Sequence, residues 1–261
     1  MYSHPYHMVR LSPWPIVNSF ALLSLTLSAI LMFQDAPYGA ILFTGSLLSV
    51  VGSMFLWLRD VIYEGSYEGS HSSIVAKGLR VGMVLFIVSE VFFFLSVFWA
   101  FFHNALSPAV EVGGFWPPKG IQPVDPWGIP LLNTIILLTS GCTVTYAHHS
   151  LIEGNWRGTI LGLFFTILLA LVFTFIQWME YYESPFTISD GIFGSCFYFA
   201  TGFHGAHVIV GTIFLIVGLY RVWNYQLTSH RHLGLEAGIL YWHFVDVVWL
   251  FLFVAIYWWG S

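Results

Sequence analysis

Apolar residues along this chain come in long unbroken runs, not at a helical or strand period with a polar face. Seven such runs lie at 15–33, 39–58, 77–103, 129–148, 156–181, 191–223 and 237–258. About 20 residues of helix, at about 1.5 Å each, cross a hydrocarbon core about 30 Å thick. A helix that is apolar on every side is stable only where its surroundings are also apolar. The pattern therefore predicts an all-α membrane protein of seven transmembrane helices, with 1–261 forming a single integral membrane domain. The third, fifth and sixth runs exceed the membrane thickness and are expected to tilt or project into water. The longest connections are 59–76 and 104–128. The second holds Pro108, Pro117, Pro118, Pro123 and Pro126, which read as an ordered turn segment.

Composition supports this. Of the 261 residues 57% are hydrophobic and only 8% charged, more apolar surface than a water-soluble domain can bury. The net charge of −5 says little, because the charges sit in connections, and no basic tract marks a nucleic-acid partner. Cys142 and Cys196 lie in separate apolar runs without metal or redox spacing and read as small core residues. The distribution of charge sets orientation. Counted through the spans, Arg10, Arg59, Lys77, Arg80, Arg157, Arg221 and Arg231 fall on one side and Lys119 alone on the other. The basic side, with the N-terminus, is expected to face the cytoplasm or matrix. The first residues, MYSHPYHMVRLSPWP, resemble neither a signal peptide nor a transit peptide, so insertion would use the internal segments. That fits a chain made inside a mitochondrion and a bacterial inner membrane equally.

The candidate chemistry lies in the few polar groups inside the apolar runs. Glu90 is isolated in VGMVLFIVSEVFFFLSVFWAFF, about 15 Å deeper than Arg80 at one interface. It is either a neutral carboxyl donating a hydrogen bond to a neighbouring helix, or a proton-exchanging or lipid-facing carboxylate. His204 and His207 share one face of the sixth span. They are placed either to ligate haem or a metal, or to form hydrogen bonds with the seventh span, and the small residues around them favour the second reading. His243 and Asp246 form a similar pair on the seventh span, with Glu236 extending the stripe. His103, His148 and His149 stand at helix ends, where histidine costs little. Glu64, Glu68 and His71, near Arg59, Lys77 and Arg80, form either a solvated network or a site for anionic lipid headgroups. No Walker loop, dinucleotide fingerprint, HExxH or nucleophile elbow occurs. A proton-coupled transporter or channel would require a broken helix or an inverted repeat. A free-standing haem enzyme would require ligation by His204 and His207.

Long strings in the chain resemble one family, cytochrome c oxidase subunit 3 of the mitochondrial type. They include HMVRLSPWP at 7–15, KGLRVGMVLFIVSEVFFF at 77–94, WPPKGI at 116–121, PLLNTIILLTSG at 130–141, HHSLIEGN at 148–155, TGFHGAHVIVG at 201–211 and YWHFVDVVWLFLF near the end. The resemblance implies two helices split from five by a V-shaped, lipid-filled cleft. It implies a mitochondrial inner-membrane location, with the N-terminus in the matrix and the C-terminus in the intermembrane space. The partners would be subunits 1 and 2, which hold haem a and copper, smaller accessory subunits, and the cytochrome bc1 complex in a respiratory supercomplex. This chain would carry no redox centre or metal. It would bind phospholipids, stabilise subunit 1 and support proton uptake by the complex. Glu90 matches the family's membrane carboxylate. Trp57, Glu64, His71, Arg80 and Arg221 match positions around the cleft lipids. His204, His207, His243 and Asp246 match packing positions. Leu58 departs from the tryptophan common there, and Gly69-Ser70-His71 from a paired histidine.

Overall fold

The computed structural model describes residues 5–261. Among these there are no strands, and seven helices are long and apolar enough to cross a membrane. They are α1 (Trp14–Phe33), α2 (Gly39–Ser66), α3 (Ser73–Leu106), α4 (Ile129–Ile152), α5 (Trp156–Glu183), α6 (Gly191–Trp223) and α7 (Leu233–Leu252). A single 3-10 turn, Val110–Val112, interrupts the proline-rich connection. Helix starts follow local chemistry. Pro15 and Pro130 stand in the first turns of α1 and α4, where the missing N–H is not needed. The Asn155 side chain caps α5 by accepting the Gly158 amide at 3.1 Å.

The helices outrun the apolar runs at the 59–76 connection. α2 continues to Ser66 and α3 begins at Ser73, so only 67–72 link them. Hydropathy marks where hydrocarbon ends, whereas a helical ladder continues into water until a breaker such as Gly69, at φ +65°, stops it. α7 ends differently from an ideal helix. Phe253–Trp258 is π-helical, and the Trp259 amide reaches back to the Val254 carbonyl at 3.0 Å.

The chain divides into two compact units, Met1–Leu79 and Arg80–Ser261. Between helices in a membrane there is little hydrophobic drive, because lipid is as apolar as leucine. Small residues and polar pairs supply the contact instead. In the first unit α1 and α2 are joined by Ser28 to Ser46 at 2.7 Å, by Ser53 donating to Asn18 at 2.9 Å, and by Trp14 Nε1 donating to Asp60 at 2.6 Å. In the second unit Thr143 and Thr166 join α4 to α5 at 2.8 Å. Trp242 and Trp249 of α7 donate to Ser140 and Thr134 of α4 at 3.0 and 2.9 Å. Both tryptophans are fully buried, in the same apolar cluster as Phe101, Leu137, Leu163, Phe173 and Leu215. Side chains such as Phe20, Leu48 and Phe55 of the first unit stay exposed, as lipid-facing positions require.

The α4–α5 approach depends on Gly162. A Cβ there would fall 2.8 Å from the Ala147 Cβ and 2.9 Å from the Thr143 carbonyl oxygen. Gly162→Val is therefore expected to destabilise the chain by about 1–3 kcal/mol. Thermal unfolding in detergent measures this, and an unchanged midpoint would show that the helices do not need the close approach.

Candidate functional site

Glu90 sits in the middle of α3 and meets His207 of α6, with Oε2 2.8 Å from Nε2. Both side chains are largely enclosed, 22% and 14% exposed. The phenyl edge of Phe94 and the ring of Tyr241 border the imidazole. The other ring nitrogen of His207, Nδ1, lies 2.6 Å from the Phe203 carbonyl oxygen. A carbonyl can only accept, so Nδ1 carries hydrogen and donates. The Nε2–Oε2 contact then holds one further hydrogen, since two bare acceptors would repel at that distance. Either a protonated Glu90 donates to a neutral imidazole, or an imidazolium donates to the carboxylate. The pair is neutral overall in both cases, which is the form a low-dielectric site tolerates. Chemically it can pass one proton between oxygen and nitrogen. A single such pair does not make a path across the membrane.

His207 was expected to bond with the seventh span, and the structure corrects this: its partner is on α3. His204 does reach α7, donating from Nε2 to the Val245 carbonyl at 3.1 Å, with its ring edge on Phe173. The two histidines thus point to different helices, because neighbours three apart on a helix diverge once the bundle closes around them. His243 and Asp246 of α7 face α4: His243 Nε2 is 3.4 Å from Thr145 Oγ1, and Asp246 lies against Gly141. Glu236 leaves that stripe and binds Arg80 of α3 at 2.9 Å. Arg221 lies against Gly234 at the start of α7. His148 of α4 meets His232 at 3.4 Å, and His149 and His103 stay at helix ends. Among the described residues no three His, Cys, Asp or Glu side chains gather in a group able to hold a metal ion.

The lipid-site candidates of the first unit are also placed. Trp57 and Glu64 are half-buried on α2, and His71 is half-buried in the 67–72 link. Glu64 is 3.9 Å from His7, and the His7 and His71 rings meet edge-on. Glu68 pairs with Arg10 at 2.8 Å, and Arg59 with Asp60 at 2.8 Å. The partners His7 and Arg10 come from the segment before α1 and Trp14 is its first residue, and no spacing in the sequence connects them to residues 59–71.

A second buried carboxyl escaped the sequence reading. Glu180 of α5 is 2% exposed. Its Oε1 accepts from Tyr257 Oη at 2.6 Å and from Gln177 Nε2 at 3.1 Å, and Asn133 of α4 donates to Gln177 at 3.3 Å. The cluster ties α4 and α5 to the π-helical turn after α7. The rule that singled out Glu90 applied here too, since Glu180 lies within the run 156–181. Its position next to Glu183 at the end of that run disguised it as an interfacial charge.

The chain matches the family model described as cytochrome c oxidase subunit III over residues 4–261. It is 60% identical to the cytochrome c oxidase subunit 3 of Rhizopus stolonifer, over 99% of this chain and 92% of that one. The protein of the same name from Mycosarcoma maydis is 57% identical, over 98% and 95% of the two chains. That from Arabidopsis thaliana is 55% identical, over 99% and 97%.

Removing the phenol in Tyr257→Phe takes a donor from a buried carboxyl. The expected loss is about 1–3 kcal/mol, read as a lower thermal midpoint in detergent. A midpoint equal to that of the unaltered chain would mean the Glu180 cluster contributes nothing to holding the C-terminal turn.

Proposed function

This chain belongs to the cytochrome c oxidase subunit III family and is a subunit of that complex, and from that premise we propose that it is an accessory core subunit with no redox centre of its own. It works in the mitochondrial inner membrane, with its N-terminus in the matrix and its C-terminus in the intermembrane space. Subunits 1 and 2 hold haem a and copper and carry out cytochrome c oxidation, oxygen reduction and proton pumping. The chain stabilises subunit 1, organises phospholipid and supports proton uptake. Smaller accessory subunits surround it, and the complex associates with the cytochrome bc1 complex. The whole-length family match carries this reading.

Physical details support the division of labour. Both histidines that a haem would need are engaged elsewhere: His204 with a backbone carbonyl, His207 with a carboxyl and a second carbonyl. α1 to α6 run without interruption, and the irregular part of α7 is its final turn, so no broken helix offers a transport site mid-membrane. In this reading Arg80 and Arg221 bind lipid phosphate through their guanidinium groups, and Trp57, Glu64 and His71 are further lipid-binding residues. Glu90 and His207 provide a neutral proton-sharing pair that supports proton entry.

Two outcomes follow. Glu90→Gln keeps a donor amide facing His207, so haem spectra stay unchanged and sustained turnover of the complex falls only modestly, by less than about tenfold. Loss of haem a absorbance in that variant would place a redox role on this chain and overturn the proposal. Arg221→Ala lowers the amount of anionic phospholipid that copurifies, measured by native mass spectrometry, and unchanged lipid content would remove Arg221 from the lipid site. A mild-detergent native gel tests the whole reading: the band holding this chain absorbs as haem a, and stripping the chain leaves that absorbance behind.

A further inference from the structure

Glu180 has surroundings unlike those of Glu90. It is 2% exposed, and Asn133, Gln177 and Tyr257 beside it are 0%, 6% and 2% exposed. Both donors in reach serve the same oxygen. Tyr257 Oη donates to Oε1 at 2.6 Å and Gln177 Nε2 donates to it at 3.1 Å. The other polar contacts of the cluster are closed among the amides and the phenol. Gln177 Nε2 also reaches Tyr257 Oη at 3.4 Å, and Gln177 Oε1 accepts from Asn133 Nδ2 at 3.3 Å. Two acceptors are left over: Glu180 Oε2 and Asn133 Oδ1 are buried with no hydrogen-bond partner among the described residues.

No cation balances this carboxyl. Glu90 has the imidazole of His207 to share a hydrogen with, whereas among the described residues no lysine, arginine or histidine pairs with Glu180. The titratable groups around it are phenols. Tyr257 comes from the π-helical turn, and Tyr181 of α5 gives its own hydrogen to Thr201 of α6 at 2.7 Å, with Tyr198 of α6 at its ring edge. α4 presents the uncharged Asn133, and Glu183, further along α5, is exposed. An ionised Glu180 would therefore be a buried charge with one oxygen facing no donor, the arrangement that a low-dielectric interior disfavours most. A hydrogen on Oε2 removes that charge. It also fits the observed contacts, because the carbonyl oxygen of a neutral acid has two lone pairs and Oε1 accepts two donors.

We infer that Glu180 is a second proton-binding site of this chain, separate from the Glu90–His207 pair, and that it holds a hydrogen on Oε2 at neutral pH. The neutral carboxyl is then what lets Tyr257 and Gln177 tie the C-terminal turn to α5 without a counter-charge.

Infrared spectroscopy of the purified oxidase complex tests this, because the C=O stretch of a protonated carboxyl lies apart from the bands of a carboxylate. The difference between the unaltered complex and the Glu180→Gln complex at pH 7 is expected to show one protonated-carboxyl band lost in the variant, with the carboxylate bands unchanged. That band is expected to keep its intensity between about pH 6 and pH 8, a range in which an ordinary glutamate is ionised. Loss from the carboxylate bands instead, no loss from the protonated-carboxyl region, or a band that fades within that pH range would each overturn the proposal. Tyr257→Phe is the second measurement. It takes one of two donors from the carbonyl oxygen, so the same band is expected to persist and move to higher frequency. A band that Glu180→Gln removes but Tyr257→Phe leaves unmoved would belong to another carboxyl and would also overturn the assignment.

Discussion

Inside the hydrocarbon core there is no water to complete a polar group, and this one condition orders the rest of the structure. Across the spans the backbone amides are satisfied within helices, and there is no strand among the described residues. The side chains follow the same rule with a smaller set of solutions. Serines and threonines return to carbonyls of their own helix or bond across to a neighbour, as Ser28 does with Ser46 and Thr143 with Thr166. The indoles of Trp242 and Trp249 each find a hydroxyl on α4. The carboxyls show where the rule is hardest to meet, and each meets it differently.

Glu90 meets it with an imidazole, Glu180 with a phenol and an amide, and Asp246 meets it incompletely within the chain. The first solution leaves one shared hydrogen in a neutral pair. The second gives a fixed knot at the end of α7 and suits stability. The third leaves Asp246 Oδ1 buried without a hydrogen-bond partner among the described residues, with the carboxyl packed on Gly141 of α4.

At the membrane surface the balance changes. Arg10 with Glu68, and Arg80 with Glu236, are ion pairs in reach of water, where each contributes little to stability. Arg221 is half-buried against Gly234 at the start of α7.

The sequence alone determined the number and type of the spans, because runs of apolar residues this long admit only one stable structure in a bilayer. It also determined the family, through strings of residues that no short motif could match in specificity. Glu90 stood out because a lone carboxyl in such a run is energetically conspicuous. What it met there was decided by tertiary structure. His207 faces Glu90 and His204 faces Val245 because helix rotation and crossing, not spacing along one helix, select the partner, and spacing is all that a sequence displays. The same holds for His7 and Arg10 beside α2, and for Tyr257 beneath Glu180, which are separated by 57, 58 and 77 residues from Glu64, Glu68 and Glu180. The helix ends at Ser66 and Ser73 were likewise hidden, since the signal that reveals a span is the edge of the hydrocarbon and a helix does not have to stop there.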